Sequence, residues 1–218
     1  MCFAGQYDDF LNDLNRRDIV LDGGANIGVL AVLASQRVAK VYAVEPDHSN
    51  FGLLKRNISL NDTRNIFANQ IALLAQPGLA RINGVGIGVR VSEVGNLVRA
   101  DTIDRAYSDV TAIKLDIEGS EIMALRGAKK TLPNVRILIV ETHATETEVV
   151  KILEKEHYIV SEVKSNKKKW LGHKLLSPNI IYDELTSKFA LTKEAKNFFS
   201  PQNLYRNMLT KTYLGRRM

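Results

Sequence analysis

The stretch Asp18-Ile19-Val20-Leu21-Asp22 runs without a break into Gly23-Gly24-Ala25-Asn26-Ile27-Gly28. No other segment restricts the fold as tightly. A short apolar run bounded by acids reads as a buried strand. The glycines after it let the backbone turn sharply and approach a ligand closely. Asparagine tolerates left-handed conformations better than most residues. Ile27–Arg37 follows with the small and apolar residues of a helix packed closely on a sheet. Strand, glycine-rich turn and helix in that order form the first unit of an open α/β sheet.

The alternation continues. Val41–Glu45 is a second strand, and Asp47–Asn61 a second helix with Phe51, Leu54 and Ile58 on its buried stripe and Asp47 or Ser49 as its cap. Ile66–Leu73 is a third strand. Between Pro77 and Arg99, Gly78, Gly84, Gly86 and Gly88 alternate with valines and isoleucines, which predicts short strands or a hairpin. Ala112–Ile117 and Arg136–Thr142 are strands; Ser120–Thr131 and Thr145–Glu156 are helices, the latter with Thr145 as cap. Tyr158–Lys164 and Lys174–Tyr182 read as strands joined by the lysine-rich loop Ser165–His173, too short for a crossover helix, so the pair is antiparallel.

A second acid, Glu45, ends the second strand, where a doubly wound sheet offers a carboxylate to ribose hydroxyls. The dinucleotide fingerprint Gly-x-Gly-x-x-Gly sets pyrophosphate on a helix N-terminus. Here the spacing is Gly24-x-Asn26-x-Gly28, with Asp22 before it. An acid at that point repels phosphate and favours the amino group and sulfonium of S-adenosylmethionine. Asp22, Gly24, Asn26, Gly28 and Glu45 are therefore the expected cofactor-binding residues. A turn with Asp22 as a simple helix cap is the plainer alternative.

Lys114-Leu115-Asp116-Ile117-Glu118-Gly119-Ser120-Glu121 forms the second signature. The period of two puts Asp116 and Glu118 on one face, at the carboxyl edge of the sheet. With Val20–Gly28, Val44–Asp47, Leu54–Asn61, Ile113–Ala128 and the shorter Asp101-Thr102-Ile103-Asp104, the chain resembles the FkbM-type methyltransferases over about residues 18 to 143. The resemblance implies a Rossmann-like class I methyltransferase fold. It also implies transfer of methyl to an oxygen, often a hydroxyl of a sugar or natural product, and active-site roles for Asp116 and Glu118. The expected architecture is α/β: a mostly parallel seven-stranded sheet ending in an antiparallel hairpin over residues 1–182. A basic helical extension over 183–218 packs on it. The first strand begins about 18 residues into the sequence, which leaves little chain for an N-terminal lid.

Removal of a proton from the acceptor falls to Asp116, Glu118 or Glu141, or to His143, whose unperturbed pKa suits the task. His143 as a surface or cap residue, and Asp116 as an orienting group for the cofactor, stand beside those roles. Glu121 reads as an acid matching the helix dipole. No His/Asp ligand spacing argues for a metal, and none is expected.

Composition closes off other classes. The 218 residues suit one domain, and 45% hydrophobic with 25% charged residues suits a soluble globular one. Cys2 is the only cysteine, which excludes a disulfide framework and cysteine-nucleophile chemistry on cytosine. No apolar run reaches the ~18 residues of a membrane span, and no signal peptide is evident, so a cytoplasmic location is expected. Residues 164–218 hold 12 Lys+Arg against 3 Asp+Glu. Lys167-Lys168-Lys169-Trp170 and the basic residues of 188–217, interleaved with Phe189, Phe198, Phe199, Tyr205 and Tyr213, suit phosphates and stacked bases. A solvated loop and a helix packed by its aromatics is the plainer reading. The functional expectation is O-methylation of a hydroxyl-bearing small molecule or glycan. RNA methylation through the basic region is the first alternative, and a non-catalytic binding module with the same fold the second.

Overall fold

The first strand, β1 (Ile19–Gly23), is followed by the glycine turn and α2 (Val29–Ser35), with a short helix α1 (Asp8–Asp13) before them. The structure is a computed structural model that describes residues 7–84, 86–163 and 211–217. The elements continue as β2 (Lys40–Val44), α3 (His48–Leu60), β3 (Ile66–Asn69), β4 (Ala72–Leu73), β5 (Gly78–Asn83), β6 (Arg90–Ser92) and β7 (Asn96–Asp101). After them come α4 (Ile103–Ala106), β8 (Ala112–Leu115), α5 (Glu121–Arg126), β9 (Ile137–Thr142), α6 (Glu146–Lys155), β10 (Tyr158–Glu162) and β11 (Lys211–Arg217). Asp47 caps α3, its carboxylate accepting from Ser49 N and Asn50 N, which satisfies two of the open donors of that helix. Thr145 precedes α6 but makes no side-chain cap bond.

The main sheet has seven strands in the order β10-β11-β9-β8-β1-β2-β3. β11 runs antiparallel to both of its neighbours, and the other pairs are parallel. Because β8 and β9 are buried along their whole length, they read as continuous apolar runs rather than alternating ones. Their side chains still alternate between two cores. Val20, Ala112, Ile137 and Ile139 meet α1, α2 and α3 through Phe10, Leu30, Ala31, Ala34 and Leu54. Leu21, Ile113, Leu115, Leu138 and Val140 meet α5 and α6 through Ala124, Leu125, Val149 and Leu153. Ala31 and Ala34 keep α2 close to the sheet, as the sequence pattern predicts.

Two expectations are corrected. The third strand does not run through to Leu73. It ends at Asn69, and β4 joins a separate four-stranded sheet, β4-β7-β5-β6. The irregular 77–101 segment fills this second sheet as antiparallel strands. The antiparallel partner of β10 is Lys211–Arg217, where the sequence suggests a helical extension. Leu214 and Gly215 are buried between β9 and β10, and a Cβ at Gly215 would meet Leu138 Cδ2 at 3.0 Å. The predicted strand at 174–182 and the basic helices of 183–210 lie outside the described residues. No helix among the described residues is long and apolar enough to cross a membrane.

Candidate active site

β1 and β8 lie side by side, yet the chain leaves β1 toward β2 and leaves β8 toward β9. Such a switch opens a crevice beyond the carboxyl ends of the strands, where open α/β sheets bind ligands. Both predicted signatures meet there. Asp116 N donates to Gly23 O at 3.1 Å. Gly24 has φ +73°, and a Cβ on it would lie 1.8 Å from Asp116 O. Only a residue without a side chain lets the two loops close.

The parallel register sets Asp22 beside Lys114 and Lys114 beside Ile139. On the face that carries Val20, Ala112 and Ile137, β1 and β8 thus end in the neighbours Asp22 and Lys114, while Glu141 stands two residues beyond Ile139 on β9: polar ends over an apolar layer. Lys114 Nζ lies 3.1 Å from Asp22 Oδ1 and 3.8 Å from Asp116 Oδ2. It also donates to Gly24 O at 2.8 Å and Gly23 O at 3.3 Å. Burial acts to lower the Lys114 pKa, but the charges of Asp22, Asp116 and Glu141 outweigh it and the ammonium is held charged. Burial pushes the Asp22 carboxyl up, and Lys114 opposes that.

Across the loop, Glu45 Oε2 accepts from Asn26 N and Oε1 from Asp47 N, both at 2.9 Å. Glu45 thus ties the glycine turn to the start of α3. Burial pushes its carboxyl up to about 7, against those two N–H bonds. Asn26 takes the left-handed conformation anticipated for it (φ 53°). Asn57, buried on α3, donates to Ile27 O at 2.8 Å. A Cβ on Gly28 (φ +91°) would meet Leu54 Cδ1 at 2.5 Å.

A cofactor with donors and positive charge fits this loop. Asn26 Oδ1 is buried without a hydrogen-bond partner among the described residues, and the buried Asp22 carboxylate leans on Lys114 Nζ at 3.1 Å and on the Ala31 N–H, which leave acceptor capacity on its two oxygens. Buried acceptors in native proteins are nearly always satisfied, so these unused ones mark a place for a ligand's donors.

Beyond the strand ends, Glu118 (φ 51°) and His143 face each other, with His143 Nε2 3.4 Å from Glu118 Oε2. His143 Nδ1 lies 3.1 Å from Glu121 Oε1. Glu121 is fully buried and also accepts from Gly119 N at 2.8 Å and the Thr145 hydroxyl at 2.9 Å. These bonds outweigh burial and hold Glu121 below its ordinary pKa. For His143, burial lowers the pKa, but the Glu121 bond and the Glu118 and Asp116 charges raise it to about 9. His143 is therefore a cation at neutral pH, not the free base its unperturbed value suggests. Burial raises Glu118, with His143 opposing and Asp116 and Glu121 adding to it. One ligand atom each of Asp116, Glu118 and His143 lies within 4.8 Å of the others, a metal-capable group brought together from two loops.

Three further residues belong to the site. Lys114 lies inside the second signature, and a lysine in an otherwise apolar buried strand is the signal that marks it. Glu121 reads in sequence as a dipole acid, yet it positions His143. Tyr7, just before α1, donates to Glu141 Oε2 at 3.0 Å and Asp116 Oδ2 at 3.3 Å. Short as it is, the N-terminal helix reaches the site, and nothing in the local pattern of α1 announces that long-range contact.

The sheet order, the switch-point crevice and the two loops define a Rossmann-like α/β fold of the methyltransferase kind. The chain belongs to the methyltransferase FkbM domain family, whose pattern it matches over residues 22–167. It is 25% identical over 147 residues to the hexuronic acid methyltransferase AglP of Haloferax volcanii, covering 62% of this chain and 59% of that protein. Among solved structures it is similar to a methyltransferase FkbM from Methylobacillus flagellatus KT (TM-score 0.53, 20% identity, 71% of this chain and 46% of that one). It is also similar in fold to SMU.1697c from Streptococcus mutans, solved in complex with SAH (TM-score 0.53, 11% identity, 100% and 98%). The chain spans about half of its FkbM structural relative and 59% of the archaeal one.

Proposed function

We propose that the chain is an S-adenosylmethionine-dependent O-methyltransferase that acts on a hydroxyl of a sugar or glycan. The observation that carries this reading is the convergence of the Asp22–Gly28 loop and the Asp116–Gly119 turn at the switch point. The unused acceptors on Asp22 and Asn26 support the cofactor, and a fold neighbour solved with SAH agrees with it. The archaeal relative named for a hexuronic acid supports a carbohydrate acceptor.

In this reading Asp22, Gly24, Asn26, Gly28 and Glu45 hold the cofactor. Each Glu45 oxygen keeps a second lone pair for a ribose hydroxyl. S-adenosylmethionine supplies an electrophilic methyl on a sulfonium. Asp116, Glu118 and His143 face the acceptor. With His143 held protonated, a carboxylate takes the acceptor's proton, and Glu118, which burial holds above its ordinary pKa, is the candidate base. Holding acceptor oxygen and methyl carbon in line provides much of the rate. Lys167–Lys169 and most of the 188–217 stretch, on which RNA methylation depends, lie outside the described residues. The described arginines of that stretch are engaged elsewhere: Arg216 pairs with Asp13 at 2.7 Å and Arg217 donates to Leu132 O at 3.2 Å.

The test is transfer of labelled methyl from S-adenosylmethionine to uronate-bearing oligosaccharides, neutral oligosaccharides and RNA in parallel. Label in an oligosaccharide, lost in Glu118→Gln, is expected. Label in RNA alone, or in none, overturns the acceptor assignment.

A further inference from the structure

We infer that Asp116, Glu118 and His143 form a binding site for one divalent transition-metal cation, which in turn holds oxygens of the acceptor. The expectation of no metal rested on sequence spacing. The ligand set is invisible there because it joins the end of β8 to the end of β9.

The three residues supply two carboxylate oxygens and an imidazole nitrogen, all mutually within 4.8 Å. Cis ligands around a cation with bonds of about 2.1 Å stand about 3 Å apart, so rotations of these partly exposed side chains close the shell. The histidine can act as a ligand once the cation displaces the Nε2 proton, as metal binding does to its ligands. Its Nδ1 is committed to Glu121 Oε1 at 3.1 Å, which fixes the ring and turns Nε2 toward Glu118 Oε2. Glu121 is itself fixed by Gly119 N and Thr145, and is fully buried. A carboxylate behind a histidine is the usual outer-sphere arrangement of metal-binding imidazoles. On the opposite side, Tyr7 and Lys114 lie 3.3 Å and 3.8 Å from Asp116 Oδ2. They restrict how that carboxylate can turn.

One nitrogen and two oxygens suit Mn2+, Fe2+, Co2+ or Zn2+ better than Mg2+ or Ca2+, which prefer oxygen alone. Three protein ligands leave positions open, and neighbouring oxygens of a sugar, two hydroxyls or a hydroxyl and a carboxylate, fill them as a chelate. A hydroxyl bound to the cation would lose its proton more readily, to the carboxylate oxygen of Glu118 that the cation leaves free, the service methyl transfer to oxygen requires. That last step rests on the methyltransferase reading, whereas cation binding does not.

The test is titration of the full chain, without cofactor, with Mn2+, followed by the EPR signal of the free hexaaquo ion. One site is expected, with affinity at least tenfold weaker in Glu118→Gln and in His143→Ala, and also weaker in Glu121→Gln. Zn2+ should displace the Mn2+ at far lower concentration than Ca2+. Far-UV circular dichroism and SAH binding, measured on each variant, separate loss of ligand from loss of fold. Free Mn2+ unchanged at millimolar metal, or binding unaffected by both substitutions, overturns the site. SAH binding without Mn2+ binding would leave the methyltransferase reading standing and remove this one.

Discussion

Replacing Lys114 by methionine probes how the strand ends are held together. The ammonium is almost wholly inside the protein, its side chain 6% exposed, and the Asp22 carboxylate it pairs with is 0% exposed. Methionine keeps the aliphatic stem but removes the positive charge placed against Asp22, together with the donor to Gly23 O and Gly24 O. Breaking a buried pair from one side costs about 3–5 kcal/mol, because the other charge is left in a medium that cannot solvate it. The stranded carbonyls add about 1 kcal/mol. Against a typical total of about 5–15 kcal/mol this is a large fraction. At about 2–4 °C per kcal/mol it corresponds to a fall in Tm of about 10 °C or more. Asp22 can escape by taking a proton, so the loss should be greater at pH 8 than at pH 5. The assay is urea unfolding followed by circular dichroism for the wild type, Lys114→Met, Asp22→Asn and the double variant. Removing both partners takes away the stranded charge, so the double variant should be more stable than Lys114→Met alone. A Lys114→Met loss under about 1 kcal/mol, or single effects that simply add, would refute the argument that this pair carries the cofactor loop.

Gly24→Ala forces a Cβ to within 1.8 Å of the Asp116 carbonyl at a left-handed φ. The two loops must then separate, and SAH affinity by calorimetry should fall at least tenfold while most of the secondary structure survives; unchanged affinity would contradict the close-approach argument. Glu45 is raised by burial from 4.5 to about 7. Its contribution to stability is thus complete below about pH 4.5 and lost as pH rises through 7, on the order of 3 kcal/mol. Glu45→Gln should flatten urea midpoints between pH 5 and 8, and parallel pH profiles for the two proteins would count against it. Tyr7→Phe removes the hydroxyl bonded to Glu141 and Asp116. It should cost about 1 kcal/mol in urea unfolding and lower kcat more than it changes KM for the cofactor, and equal kinetics would show that α1 has no part in the site.

Much of this architecture is legible in the chain because its signals are local. Buried strands such as Ile137–Thr142 announce themselves as apolar runs, and Asp22–Gly28 needs small residues for reasons contained within seven positions. What escapes is set by distant partners. Lys211–Arg217 becomes a strand only because β9 and β10 leave a slot between them that Leu214 and Gly215 fill. Nothing in its own basic sequence dictates that. The Ile66–Leu73 run splits at Gln70-Ile71 because two different sheets recruit its halves. In the site, Asp116 and Glu118 are visible as acids close to a strand end, but the strand period expected to align them does not apply, because β8 ends at Leu115. The pairing of Asp22 with Lys114 requires the register between two strands, and the His143–Glu121 contact joins residues 22 apart across two loops. Glu118 takes a left-handed turn position that the neighbouring Gly119 alone seemed to demand. Charged residues at strand ends owe their roles to which strands stand beside them, and topology decides that.

The central claim is that the loop leaving β1 binds the nucleoside and amino acid parts of S-adenosylmethionine. Isothermal titration of the full chain with SAH tests it most directly. The account predicts saturable binding at one site in the micromolar range, weakened at least tenfold in Gly24→Ala. No binding at near-millimolar SAH by the folded wild-type protein would contradict it.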